Sequence, residues 1–182
     1  MYSKKETLVL LFLGISIGAR HRALSNLKVK DVDFSDRVIQ VYESKTRDYV
    51  LKFPPHSVFE LLETYVNDVG LCYEDRLFPK GYRTHLNALR AAGRKAKLTK
   101  RISTHILKHT FVTQASRHGV SAENIVYQTG TELRTLEKFY RAKDETKLRH
   151  ELQGTKYTTT PFHQWIQNLS TNIKTRYKQL KK

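Results

Sequence analysis

The chain has 182 residues, room for one well-packed domain, and a formal net charge of +16 from 33 Lys and Arg against 17 Asp and Glu. Its single cysteine, Cys72, excludes an internal disulfide and any multi-cysteine metal site. The longest apolar run, Leu8 to Leu13, is far too short to span a bilayer.

Lys4, Lys5 and Glu6 lead into that run with no small-residue cleavage site behind it, unlike a signal peptide. The expectation is a soluble intracellular protein, with Cys72 an inert, partly buried thiol beside Leu71 and Tyr73. The charge is also unevenly spread. From Arg76 through Ala122 there is no Asp or Glu, yet eleven Lys or Arg occur. A solubilising surface mixes both signs. A one-sign stretch instead suits a polyanion, nucleic acid before an acidic membrane or protein.

In chain order, residues 6–17 (ETLVLLFLGISI) read as a buried helix that Gly18 ends. Residues 20–28 form a second short helix with Leu24 and Leu27 inward. The period then changes. "VDFSDRVIQVYESKTRDYVLKFP" holds two or three short strands, with turns at Ser35-Asp36 and around Ser44 to Asp48. Tyr49, Leu51 and Phe53 alternate as one buried strand face requires, and Pro54-Pro55 stops the sheet. Ser57 is placed to cap a helix through about Val69, with Val58, Leu61, Leu62 and Tyr65 on one side. "RLFPKGY" is a loop, residues 82–97 a strongly basic helix, and residues 104–118 another that stops near Gly119. Ser121 caps a helix to about Thr129, Gly130 breaks it, and a short helix carries Tyr140. Residues 162–180 form a last amphipathic helix with Phe162, Trp165, Ile166, Leu169 and Ile173 at helical spacing. The predicted class is mainly α with a small antiparallel β-sheet.

Within "THILKHTFVT", His105, Lys108 and His109 stand three and four apart and share a helix face, while Leu107 and Phe111 point to the core. Three proton donors aimed at one volume would be satisfied by a phosphate. The alternatives are a solvated turn, or zinc between two histidines four apart; zinc lacks an evident third ligand in the acid-free stretch. In "IGARHRAL", Arg20 follows a glycine turn, where its planar fork suits two phosphate oxygens; Arg22 is its competitor. In "YESKTRDYV", Lys45 sits at a hairpin tip, able to enter a groove and protonate a leaving oxygen, or simply solvated.

Taken together these pieces resemble the tyrosine recombinases, the phage-type integrases. Gly18-Ala19-Arg20 with Leu24, Leu27 and Asp31-Val32-Asp33-Phe34 resembles their first arginine box, and Lys45 in "ESKT" their hairpin lysine. "THILKHTFVT" resembles the H-x-L-R-H-T-F box, and "TGTELRTLEKFY" the segment leading to the nucleophilic tyrosine. The intervals fit as well: 25 residues from Arg20 to Lys45, 35 from His105 to Tyr140 and 9 from Thr131 to Tyr140. The resemblance covers about residues 6–142 and implies the tyrosine recombinase catalytic-domain fold.

It also implies roles. Tyr140 would attack a scissile DNA phosphate and form a 3′-phosphotyrosine, with no metal or other cofactor needed. Arg20, Lys108 and Thr131 would hold the phosphate, Lys45 would act as general acid, and His105 would assist proton transfer at Tyr140 or bind the phosphate. Arg22, Lys80, Arg83, Arg90, Arg94, Lys95 and His109 are the candidate DNA contacts. Double-stranded DNA is the implied partner, with a homo-oligomer (a tetramer) on DNA and a monomer when free.

Three positions depart from the family pattern. Lys108 stands for the second arginine and keeps the charge without the bidentate fork. Thr131 stands for a histidine or tryptophan, and Ala23 for the acid that normally supports the first arginine. Arg20 is then either less rigid or braced from elsewhere. Such atypical sites resemble those of integrases from archaeal viruses and plasmids. The expected organisation is a catalytic core over 1–145 and tail helices over 146–182, which dock on the chain's own core or, the preferred reading, on a neighbouring protomer. The expectation is a catalytic-domain fragment without the family's N-terminal DNA-clamping domain. The competing readings are a degenerate relative that binds DNA without cutting it, a type IB topoisomerase-like enzyme, and a basic RNA-binding or structural module.

Overall fold

Leucine, valine and phenylalanine fall on every side of the first helix, so no polar stripe is left to face water. Such a helix has to run through the middle of the protein. The structure, a computed structural model, describes residues 2–43, 47–99, 102–103, 105–136 and 160–180. Helix α1 (Tyr2–Ile17) buries Leu10, Phe12, Leu13 and Ile17 completely. A short helix α2 (His21–Leu24) follows, then a 3₁₀ turn (Val29–Asp31) that leads into a three-stranded antiparallel sheet.

The sheet runs β1 (Val32–Asp33), β2 (Val38–Glu43), β3 (Asp48–Lys52), with β2 in the centre and Val41 opposite Val50. Helices α3 (His56–Val69), α4 (Tyr82–Lys95), α5 (Ile106–Arg117), α6 (Ala122–Thr129) and α7 (Phe162–Gln179) complete the described elements. Helix α1 touches α3, α4, α5 and α7, which makes it the axis of the domain. The mainly α fold with a small antiparallel sheet is therefore present as expected.

Two close approaches set where α5 and α6 lie. A Cβ on Gly14 would come within 2.5 Å of Leu107, so the bare glycine lets α5 lie directly on α1. Gly18 ends α1 at φ +64, and a Cβ there would sit 2.4 Å from the Phe111 ring. That left-handed turn favours glycine and brings the chain out of the core at Arg20.

Two expectations about the sheet and α3 are corrected. Tyr49, Leu51 and Phe53 do alternate, but they face outward, at 56%, 41% and 56% exposure. The buried face of β3 instead carries Lys52, because the register places Lys52 opposite the buried Ile39. Ser57 is not the cap of α3. Pro55 holds that position in extended backbone, and Ser57 is buried inside the first turn. Proline starts a helix without losing a hydrogen bond, so it displaces the serine. Cys72 is likewise exposed rather than partly buried, since it lies in a polar turn where its N–H donates to Asp75.

Helix α7 packs on α1 and α3 of its own chain, burying Ile166, Ile173 and Tyr177. Side-chain burial of this kind stabilises by about 1.5–3 kcal/mol each. The Tyr177 hydroxyl donates to Asp68 at 3.2 Å, and Lys174 pairs with Glu60. Trp165 is half-buried, stacked between His118 and Phe162.

Candidate active site

The site forms where α2, α5 and the end of α6 meet. Arg20 occupies the N-cap position of α2, just after the Gly18 turn. His105 occupies the N-cap position of α5, and Leu107 and Phe111 anchor that helix in the core. Lys108 and His109 then emerge on the opposite side, one turn along. Ser121 caps α6 by accepting from the Asn124 N–H, and Gly130 ends the helix at φ +57 and swings Thr131 back toward α5.

The result is one cavity of about 230 Å³ lined by Arg20, His105, Lys108, His109, Thr131 and Glu132, among others. Four of the six residues singled out for chemistry from sequence thus share a wall. The other two, Lys45 and Tyr140, lie outside the described residues.

Each side chain in the wall is held by a specific partner. Lys108 donates to the Thr129 carbonyl at 2.7 Å, which draws its ammonium to the carbonyl end of α6. The His105 and His109 rings meet edge to face, 6.4 Å between centroids. Partial desolvation at the cavity rim, then the His105 and Lys108 charges, hold the His109 imidazole below its ordinary pKa.

Thr131 is also anchored. Its N–H donates to the Thr129 hydroxyl at 3.3 Å, and the two hydroxyl oxygens are 2.8 Å apart. Thr129 also lies 2.7 Å from the Ile125 carbonyl, which can only accept. A hydroxyl has one proton, so while Thr129 gives it to Ile125, Thr131 is the donor in the hydroxyl pair. Thr131 then turns its proton inward and presents lone pairs to the cavity.

Sequence reasoning left Arg20 without a brace, and the structure supplies one. Arg20 Nη1 donates to Glu43 Oε2 at 2.5 Å. Glu43 is 2% exposed and its other oxygen lies 3.8 Å from the Nζ of Lys52, which is fully buried. Lys52 in turn donates to the Gln128 carbonyl at 2.5 Å. Burial pulls the Lys52 ammonium below its ordinary pKa; Glu43 opposes that shift and Arg20 adds to it. Glu43 and Lys52 were missed from sequence. The available signal was polar residues at inward positions, since Ile39, Val41 and Glu43 alternate on one buried face.

The basic candidates stand on different footings. Arg22, Lys80, Arg83, Arg94 and Lys95 are exposed, while His85, Leu86 and Leu89 hold α4 to the core. Arg90 is half-buried and donates through Nε to the Ile102 carbonyl at 3.1 Å, which ties α4 to the segment before α5. His109 is exposed at the cavity rim.

A helical domain with a small antiparallel sheet and a cation-lined cavity has relatives among known proteins. Residues 2–147 match the family model described as phage integrase family, and the chain belongs to that family. It is 31% identical over 117 residues to tyrosine recombinase XerA of Saccharolobus solfataricus, covering 64% of this chain and 38% of that protein. It is 30% identical over 125 residues to a tyrosine recombinase of Pseudothermotoga lettingae, covering 66% and 43%. The chain thus spans well under half the length of the curated relatives it matches. Among solved structures, a XerA recombinase crystal structure superposes with a TM-score of 0.68 at 21% identity, over 86% of this chain and 64% of that one. XerH bound to a palindromic difH substrate gives 0.66 at 18% identity, over 84% and 46%. At such identities these structures speak to the fold. Among the described residues, no helix is long and apolar enough to cross a membrane.

Proposed function

We propose that this chain is the catalytic domain of a site-specific DNA recombinase that cleaves and rejoins strands through a 3′-phosphotyrosine. The observation that carries this reading is the single cavity shared by Arg20, His105, Lys108 and Thr131 in a member of the phage integrase family. The Tyr140 oxygen forms a new bond to phosphorus as the bond to the 5′-oxygen breaks, and Lys45 delivers the proton that leaves with that oxygen. The phosphodiester energy is kept in the tyrosyl link, so the return step needs neither ATP nor metal. Arg20 and Lys108 stabilise the extra charge of the pentacoordinate state. A free tyrosine has a pKa of about 10, so the cationic wall and His105 also favour its attack at neutral pH. Duplex DNA is held along the exposed basic residues of α4, in an intracellular setting, with several copies assembling on the DNA. Its affinity falls steeply with added salt.

The test is incubation with a nicked suicide substrate carrying the cognate site. A covalent protein–DNA adduct is expected from the natural chain and none from Tyr140→Phe. Absence of an adduct from the natural chain, or its persistence in Tyr140→Phe, overturns the reading.

The bonds of Lys108 and Thr131 to residue 129 favour a second reading, a relative that binds DNA without cutting it. The double variant Lys108→Arg with Thr131→His separates the two. Cleavage that appears only in that variant supports the binding-only protein.

A further inference from the structure

Arg20 is held by a carboxylate that is almost wholly buried, and that carboxylate has a fully buried lysine beside it. An arginine bonded to a carboxylate at 2.5 Å has its charge largely compensated, which weakens its pull on a phosphate. Lys52 at 3.8 Å from the far oxygen restores one positive charge to the group. Arg20, Glu43 and Lys52 together carry a net charge of plus one, and Arg20 is the member that lines the cavity.

Lys52 has a second attachment. It donates to the Gln128 carbonyl, one residue before the Thr129 carbonyl that accepts from Lys108. The last turn of a helix leaves carbonyls without partners and carries partial negative charge. Two lysines from different elements, β3 and α5, therefore grip adjacent carbonyls at the end of α6, and Thr131 follows two residues later. Stability alone does not account for this arrangement, because a buried ion pair often does no better than well-packed apolar side chains of similar volume. What it does provide is a fixed relation between the guanidinium on one side of the cavity and the end of α6 on the other.

We propose that Lys52, acting through Glu43, is a positioning residue for Arg20: it keeps the guanidinium aimed into the cavity with its charge available, and locks that aim to the end of α6. This rests on the recombinase reading above. Lys52 itself does not line the cavity. Its loss acts on the rate at which the phosphate reacts and not on how tightly DNA is held.

The experiment measures single-turnover adduct formation on the suicide substrate, alongside the Kd for the same DNA, using the full chain. Lys52→Met is expected to slow adduct formation about 100-fold, the cost of a small misplacement at a reacting centre, and to leave Kd within about twofold. Glu43→Gln is expected to act in the same direction, and Lys52→Arg to recover most of the rate. A third measurement replaces the scissile phosphate by a methylphosphonate. That linkage lacks one charged oxygen and asks less of Arg20, so the Lys52→Met penalty shrinks to about tenfold or less.

Three outcomes overturn the proposal while leaving the recombinase reading intact. One is a natural chain that forms adduct and a Lys52→Met variant that matches it. Another is a loss that appears equally in Kd. The last is a penalty unchanged on methylphosphonate, which marks a merely structural role. If Lys52→Met melts before the assay temperature, Lys52→Arg and Glu43→Gln carry the same comparison on the two substrates. A natural chain that forms no adduct overturns the recombinase reading, and this proposal with it.

Discussion

The two faces of the β2–β3 hairpin invert the usual distribution. The outward face carries Tyr42, Tyr49 and Leu51, at 46%, 56% and 41% exposure, with the two tyrosine rings 5.2 Å apart across the strands. The inward face is apolar at Ile39 and Val41 and then turns charged, burying Glu43 and Lys52. A sheet that needed only to cover a core would have placed these the other way round. This hairpin therefore serves the cavity as much as the core, and its stability and its chemistry meet on one face.

The contrast is broken most severely from inside. Glu43→Leu leaves the Lys52 and Arg20 charges without their shared carboxylate, and is expected to cost about 3–5 kcal/mol, read as a fall in denaturation midpoint. A loss below about 1 kcal/mol would show the inward charges to be solvated in practice.

A smaller effect comes from a buried polar side chain that lacks the pairing Glu43 enjoys. Among the described residues, neither ring nitrogen of His21 has a hydrogen-bond partner, and the ring packs against Tyr82 and His85. Burial, and then the His85 charge, lower its pKa to about 4. The folded state therefore binds fewer protons than the unfolded chain between pH 6.5 and 4. Stability is full above that window and lost as pH falls through it. At pH 5 the expected loss is roughly 2 kcal/mol relative to pH 7. His21→Phe should stay near neutral at pH 7, since it removes unpaired polar atoms, and should flatten the pH profile. Thermal melts at pH 7 and pH 5 decide it, and a variant as acid-sensitive as the parent counts against His21 as the source.

The smallest effect is expected outside. Leu51→Thr keeps a strand-forming residue on an exposed face and should change stability by no more than about 0.5 kcal/mol. A larger loss in chemical denaturation would mean that the outer face is covered by something in solution.

These contrasts also mark what the sequence could disclose. The face shared by His105, Lys108 and His109, the breaks at Gly18 and Gly130 and the Ser121 cap are local patterns, and local patterns need no knowledge of neighbours. The alternation of Tyr49, Leu51 and Phe53 was equally legible, but periodicity says that two faces differ and not which one meets the core. Here Lys52 went inward because Glu43 across the hairpin and the end of α6 were waiting for it, and the end of α6 lies far away in the chain. Burial of a lysine is the least expected event on composition grounds. Besides the polar residues at inward strand positions, the missing acid at Ala23 was a second hint, since it left a guanidinium in want of a carboxylate.

The Arg20–Glu43–Lys52 chain has a consequence for how such a sequence can change over time. Removing Lys52 first leaves Glu43 to neutralise Arg20, and removing Glu43 first strands two cations. An acid introduced at position 23, one helical turn from Arg20, would relieve Glu43, and only afterwards could positions 43 and 52 turn apolar together. The order of substitutions is thus constrained by charge, and a descendant that has lost Lys52 should already carry its replacement carboxylate on α2.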